Sequence, residues 1–149
     1  MPFKSGHSFT DINRKLEKEF KRIDEQLIPR GLYAAISVGA AYAKTMTPID
    51  SSNLVNSQYI DNAKKTAKGW AIVTGFTANY AAAVHEMPGT LKGKPRSGVK
   101  SFKTKSGSIG FASNEGNFWD PDAEPQFLLK GFTEHMSEIN DTFYKAIRI

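Results

Sequence analysis

The sequence predicts an α+β fold: a small antiparallel sheet packed against an N-terminal helix, a central helix and a long C-terminal helix, with one long inserted loop. Three observations carry this. Apolar residues recur at helical spacing near both ends of the chain, an alternating stretch with a polar turn lies in the middle, and a glycine-rich tract without periodicity precedes the last helix. With 149 residues the chain suits a single domain over 1–149 that buries a real core.

The elements follow in order. From Phe9 to Leu27 the apolar residues Phe9, Ile12, Leu16, Phe20, Ile23 and Leu27 fall on one helical face. Arg14, Lys15, Lys18, Glu19, Lys21, Arg22 and Glu25 cover the other. This predicts an amphipathic helix over 8–28, capped by Ser8 or Thr10 and ended by Pro29. Its apolar face either packs on the domain's own core or reaches a neighbouring subunit. A second helix is expected over 31–44, with Leu32, Ile36, Ala40 and Ala43 along one side. Thr47-Pro48 stops it, because the residue before proline is pushed out of the helical region. Asp50-Ser51-Ser52 offers capping oxygens for a short turn at Asn53-Leu54-Val55.

Residues 57–62 and 69–76 read as an antiparallel hairpin around a polar turn at 64–68, with Trp70, Ile72, Thr74 and Phe76 on one face. Alanine richness favours a short helix within 79–85. The tract 89–124 is a long loop, basic and then acidic, with room for a small hairpin where 101–103 and 108–112 flank Lys105-Ser106-Gly107. Leu128, Phe132, Met136, Ile139, Phe143 and Ile147 then form a continuous stripe, predicting one C-terminal helix over 125–147.

Composition excludes several classes. A hydrophobic content of 40% and mean hydropathy of −0.42 suit a soluble chain. No apolar run approaches the roughly 20 residues of a membrane span, and the N-terminus lacks the pattern of a secretory signal. Without cysteine there are no disulfides, thiolate metal sites or cysteine nucleophiles, which suits a reducing cytoplasm. The net charge of +5 points to an acidic partner of some kind.

Catalytic patterns fail one after another. His85-Glu86 begins a His-Glu-x-x-His zinc motif, but position 89 is Gly89 and Pro88 disturbs the helix. No Gly-x-Ser-x-Gly elbow exposes a serine, and Gly89-Thr90-Leu91-Lys92-Gly93-Lys94 lacks the phosphate-cradling arrangement. The chain is expected to be no enzyme and to need no cofactor or metal. Lys92, Lys94, Arg96, Lys100, Lys103 and Lys105 occur without an intervening acid, as candidates for contact with DNA or a protein partner. Glu115, Asp120, Asp122 and Glu124 then reverse the sign, so that one loop could dock on its neighbour's. Phe118 and Trp119 are candidate interface anchors, aromatics being enriched at hot spots, with a cluster pinning the loop to the core as the other reading.

Three segments add a resemblance. Thr47, Pro48, Asp50, Leu54 and Ser57 fit a Thr-Pro-x-Asp-(small)-(small)-x-Leu-x-x-Ser pattern after a helix, with Ser51-Ser52 where a glycine is usual. Tyr80, Ala81, Val84 and Glu86 follow the hairpin, and Pro125, Phe127, Leu128, Gly131 and Phe132 open the last helix. In this order they resemble the tail-component family of tailed bacteriophages, the tail-completion and head-to-tail joining proteins (minor tail protein Z-like). The resemblance spans Ala34 to about Phe143. It implies a structural virion protein without catalytic residues. Such a protein forms a ring at the head-tail junction, hexameric or dodecameric, against neighbouring neck and tail-tube proteins, with nonspecific contact to genomic DNA and no membrane. It would be assembled in the host cytoplasm. A tail terminator or connector adaptor of the same neck, or a stand-alone basic nucleic-acid-binding protein, are the alternatives.

Overall fold

The computed structural model describes residues 8–49, 52–95, 102–103, 109–110 and 119–148 and has an α+β architecture. One helical run dominates it: α1 (Phe9–Arg22), a π turn (Ile23–Leu27) and α2 (Ile28–Met46) follow without a break. The helix expected over 8–28 therefore does not end at Pro29. In a regular α-helix the proline ring would clash with the carbonyl four residues back and leave it without a donor. Here the preceding turn is widened, the Ile28 N–H reaching the Ile23 carbonyl five residues back. That local opening of the ladder lets the helix pass through the proline.

Small residues decide how α2 packs. Gly31, Ala35, Gly39, Ala40 and Ala43 are its buried positions, and α5 (Phe127–Thr133) and α6 (Met136–Ala146) lie against them. The Phe132 ring fills the space over Gly39, Phe143 and Ile147 cover Gly31, and Gly131 brings its backbone onto Ala43. The single C-terminal helix expected over 125–147 is thus two helices with a corner at 134–135. At the corner His135 leaves helical geometry (φ −113°, ψ 19°) and lies flat on Tyr42, ring centroids 3.4 Å apart. The Tyr42 hydroxyl donates to Glu138 at 2.6 Å, so one α2 side chain holds both sides of the corner. That bond also pushes the Tyr42 hydroxyl above the usual tyrosine range. At the far end Arg30 donates to the Ala146 carbonyl.

The hairpin is real but broken into two ladders. Strand β1 (Gln58–Ile60) pairs with β4 (Thr74–Phe76), and β2 (Lys64–Thr66) pairs with β3 (Gly69–Ala71), both antiparallel. Between them residues 61–63 stand against Ile72 and Val73, three against two, as in a β-bulge, so the expected face from Trp70 to Phe76 is not continuous. The polar turn shrinks to Ala67 and Lys68, with Gly69 at φ +123°. The hairpin lies along the helical run and braces it. Gln58 donates to the Ala40 carbonyl at 2.7 Å. At the tip, Asp24 of the π turn accepts from Trp70 Nε1 at 3.0 Å and pairs with Lys65. The Lys65 ammonium, with Trp70, holds the Asp24 carboxyl below the usual carboxylate range. A third ladder, β5 (Phe102–Lys103) with β6 (Ile109–Gly110), stands where a small hairpin is expected in the long loop.

Two short helices complete the fold. Helix α3 (Asn53–Asn56) and helix α4 (Ala81–His85) flank the hairpin. Ser52 precedes α3 in the left-handed region (φ 59°) and makes no side-chain cap bond, so of the three residues expected to offer capping oxygens this one does not, while Asp50 and Ser51 lie outside the described residues.

Candidate assembly surfaces

The three segments that carry the resemblance meet in space. Thr47, 1% exposed, closes α2 by donating its hydroxyl to the Ala43 carbonyl at 2.7 Å, and Pro48 turns the chain away. Leu54 of α3, Ala81 of α4 and Phe127 of α5 then form one buried cluster, with Met46, Phe76, Val84 and Leu128 packed around it. Phe127 meets Phe76 and His85 edge to face at 5.2 and 5.0 Å. Backbone bonds stitch the segments together: Glu124 N–H to the Met46 carbonyl at 2.9 Å, and Gln126 N–H to the His85 carbonyl at 2.8 Å. One residue from each of the three segments, Leu54, Ala81 and Phe127, thus enters a single core contributed by distant parts of the chain.

On the outer side of this core is an apolar pocket of about 500 Å³. Its walls come from the same segments and the base of the long loop, with Ile49, Tyr80, Met87, Leu91, Trp119 and Pro125 among them. Two glycines shape the loop base. Gly89 (φ +68°) has Pro125 3.1 Å from where a Cβ would stand, and Gly93 (φ +66°) donates its N–H to the Trp119 carbonyl at 3.2 Å. These turns need the left-handed region that glycine enters without strain. The Trp119 N–H returns a bond to the Lys94 carbonyl at 2.9 Å, closing the loop at its neck. Asp120 accepts from the Ile49 and Asp122 N–H groups at 2.8 and 2.9 Å, fixing the pocket's edge.

The candidate contact residues fall in different places. Lys92 is exposed but not without a partner: its ammonium pairs with Glu124, which Lys130 also holds at 2.9 Å. The basic and acidic ends of the loop therefore engage each other within one chain at this point. Lys94 is exposed, and Lys103 contributes backbone to β5. Trp119 is 37% exposed on the pocket wall. Arg96, Lys100, Lys105 and Phe118 lie outside the described residues, as do Asp50 and Glu115.

Hydrogen bonds from Lys92 and Lys130 push the Glu124 carboxyl down from 4.5 to about 2. A depressed carboxylate contributes stability that is fully present above its unfolded pKa and is lost as pH falls toward the folded one. The Glu124 contribution should therefore disappear between about pH 4.5 and pH 2. Its side chain is 31% exposed, so solvent screening keeps the contribution on the order of 1 kcal/mol. Urea midpoints measured across that window should fall more steeply for the natural chain than for Glu124→Gln; equal slopes would show that the triad adds nothing.

Helix α1 is the surface whose state the sequence left open between two readings. It buries none of its residues. Its stripe stands in solvent, with Phe9 78%, Ile12 45%, Leu16 49% and Phe20 67% exposed. Only the continuation of the stripe into the π turn is covered, at Leu27. The spacing could not reveal this, because a core-facing and a partner-facing stripe have the same period; the passage of the helix through Pro29 decides it.

At His85, Nδ1 lies 2.9 Å from Glu86 Oε1, and the ring edge packs on Phe127. Among the described residues no group of three or more His, Asp or Glu gathers in a metal-binding arrangement. Also among them, no helix is long and apolar enough to cross a membrane. No family model, curated protein or solved structure matches the chain.

Proposed function

We propose that the chain is a structural protein of a tailed-phage virion, forming a ring at the head-tail junction that completes the tail and joins it to the capsid connector. The observation that carries this reading is the uncovered apolar stripe of α1. A contiguous line of large apolar side chains on a soluble chain's surface marks a contact with another molecule. The three-segment resemblance supplies the kind of molecule: further copies of the same chain, and neck and tail-tube neighbours. The convergence of those segments on one core supports treating them as a unit rather than as three chance matches.

In this role the chain performs no chemistry. Its work is to present faces, with the helical run as a strut and the hairpin, locked through Asp24, Lys65 and Trp70, as its brace. The surplus positive charge serves contact with DNA in the ring's channel or with acidic neighbours. Six copies follow from the usual symmetry of tails, twelve from proximity to the portal. Terminator and connector-adaptor roles belong to the same assembly.

The experiment is made on particles. Phage assembled without this protein should yield filled heads and separate tails in electron micrographs, and adding the purified chain should restore joining. Normal numbers of joined virions without it would refute the reading.

A further inference from the structure

We propose that the π turn is a hinge on which α1 swings as an arm, and that the hairpin tip is its latch, closed through Asp24. The inference stands apart from the ring reading, since every part of it lies within one chain.

The free and the anchored parts of the helical run meet at this turn. Every residue from Ile12 to Lys21 is exposed, and α1 buries none of its residues. Burial begins at Leu27, the last residue of the turn. Just beyond it Arg30 donates to the Ala146 carbonyl, and Phe143 and Ile147 cover Gly31. One side of the turn is thus held by the C-terminal end of the fold, and the other stands in solvent.

The backbone bends most readily at the same place. The π turn spaces its ladder five residues apart, the Ile28 N–H reaching the Ile23 carbonyl, and Pro29 brings no N–H to the next rung. Sharp bends in long helices fall at prolines and at π turns, and here the two coincide. The 14 residues of α1 span about 21 Å at the helical rise of 1.5 Å per residue. A bend of about 20° at the base of such an arm carries its tip, at Phe9, roughly 7 Å sideways.

A side chain inside the turn sets the direction. Asp24 accepts from Trp70 Nε1 at 3.0 Å through one carboxylate oxygen and pairs with the Lys65 ammonium through the other. Lys65 Nζ also lies 5.7 Å from the centre of the Trp70 ring, so the turn, β2 and β3 close on one another. Among the described residues, the other side-chain bonds of 8–27, Arg14 with Asp11 and Arg22 with Glu19, stay within α1. Asp24 is therefore the polar tie between the base of the arm and the rest of the fold. The Asp24 and Lys65 side chains remain 43% and 57% exposed, and an exposed pair shifts an equilibrium by up to about fivefold. A latch of that size is reversible: it opens when another molecule takes Lys65 or Trp70.

The chain has no cysteine, so spin labels can be placed freely. Lys15→Cys on α1 and Lys145→Cys on α6, both exposed, are labelled in the full-length chain. Dilution into an excess of unlabelled chain leaves only distances within one copy. Pulsed electron paramagnetic resonance should then give one dominant distance. Adding Asp24→Ala should raise the population away from it on the order of fivefold. Trp70→Phe, which keeps a ring and removes the N–H, should act in the same direction more weakly. Glu25→Ala removes the neighbouring carboxylate from the same turn without touching the latch bonds and should leave the distribution as it was. An unchanged distribution in both latch variants, a parent distribution already as broad as theirs, or equal broadening by Glu25→Ala would each overturn the latch. Circular dichroism separates a swing from melting: helix content should stay constant, and its loss in step with the broadening would overturn the hinge.

Discussion

Phe127→Ala is expected to lower stability by about 3–5 kcal/mol, the range for removing a fully buried phenylalanine. Phe127 is 1% exposed and joins its own motif segment to the other two: Leu54 and Ala81 share its cluster, and the rings of Phe76 and His85 meet it edge to face. Its neighbours arrive from separate short elements, α3, α4 and β4, each too small to hold its position alone. The cavity should therefore loosen the pocket floor as well as the core. For a chain of this size Tm should fall by roughly 10 °C. Leu129→Ala is the control on the same helix: 52% exposed, it should change stability by no more than about 0.5 kcal/mol. A loss below 1 kcal/mol at Phe127, read from chemical denaturation, would mean that the three segments do not share a core.

Gly131→Ala has two opposed effects whose sizes decide the sign. Alanine is favoured over glycine in a helix by about 1 kcal/mol. Against this, a Cβ at Gly131 would stand 2.5 Å from the Ala43 nitrogen and 2.8 Å from its Cα. Those are backbone atoms of α2, which cannot swing aside as a side chain does, so α5 must lift off. Overpacking costs about 1–3 kcal/mol, and the net expectation is a loss of up to about 2 kcal/mol, with Tm lower by up to about 8 °C. Lifting α5 also drags Lys130 from Glu124 and Phe132 from Gly39. A stabilised variant in thermal melts would show that α2 and α5 are further apart than this.

Much of the fold could be read from the chain because local preference and tertiary structure agree there. The Thr47-Pro48 stop, the alanine-rich α4, the hairpin and the apolar stripes all lie where period and turn chemistry place them. Two helix boundaries could not be read, for definite reasons. The rule that proline ends a helix holds for the α-helical ladder, and the π turn at Ile23–Leu27 removes the clash the rule assumes. The corner at 134–135 leaves the stripe from Leu128 to Ile147 undisturbed, because it depends on Tyr42, a residue from another helix.

The candidate site was less legible. The order of the three segments suggested an assembly protein, but not that Leu54, Ala81 and Phe127 touch. Ile49, Met87 and Leu91 sit singly in turns and loops, so no periodicity announces the pocket they help to wall. Lys92 belonged, by sequence, to a run of cations; its partner Glu124 comes from the other end of the loop, and only folding brings them together.

Whether this chain works as an assembly of copies is read from native mass spectrometry of the purified chain over a range of concentrations. A closed species is expected at six or twelve times the 16.5 kDa chain mass, reduced to monomer by Leu16→Glu. A 16.5 kDa monomer at every concentration, with no larger species in the natural chain, would contradict this reading.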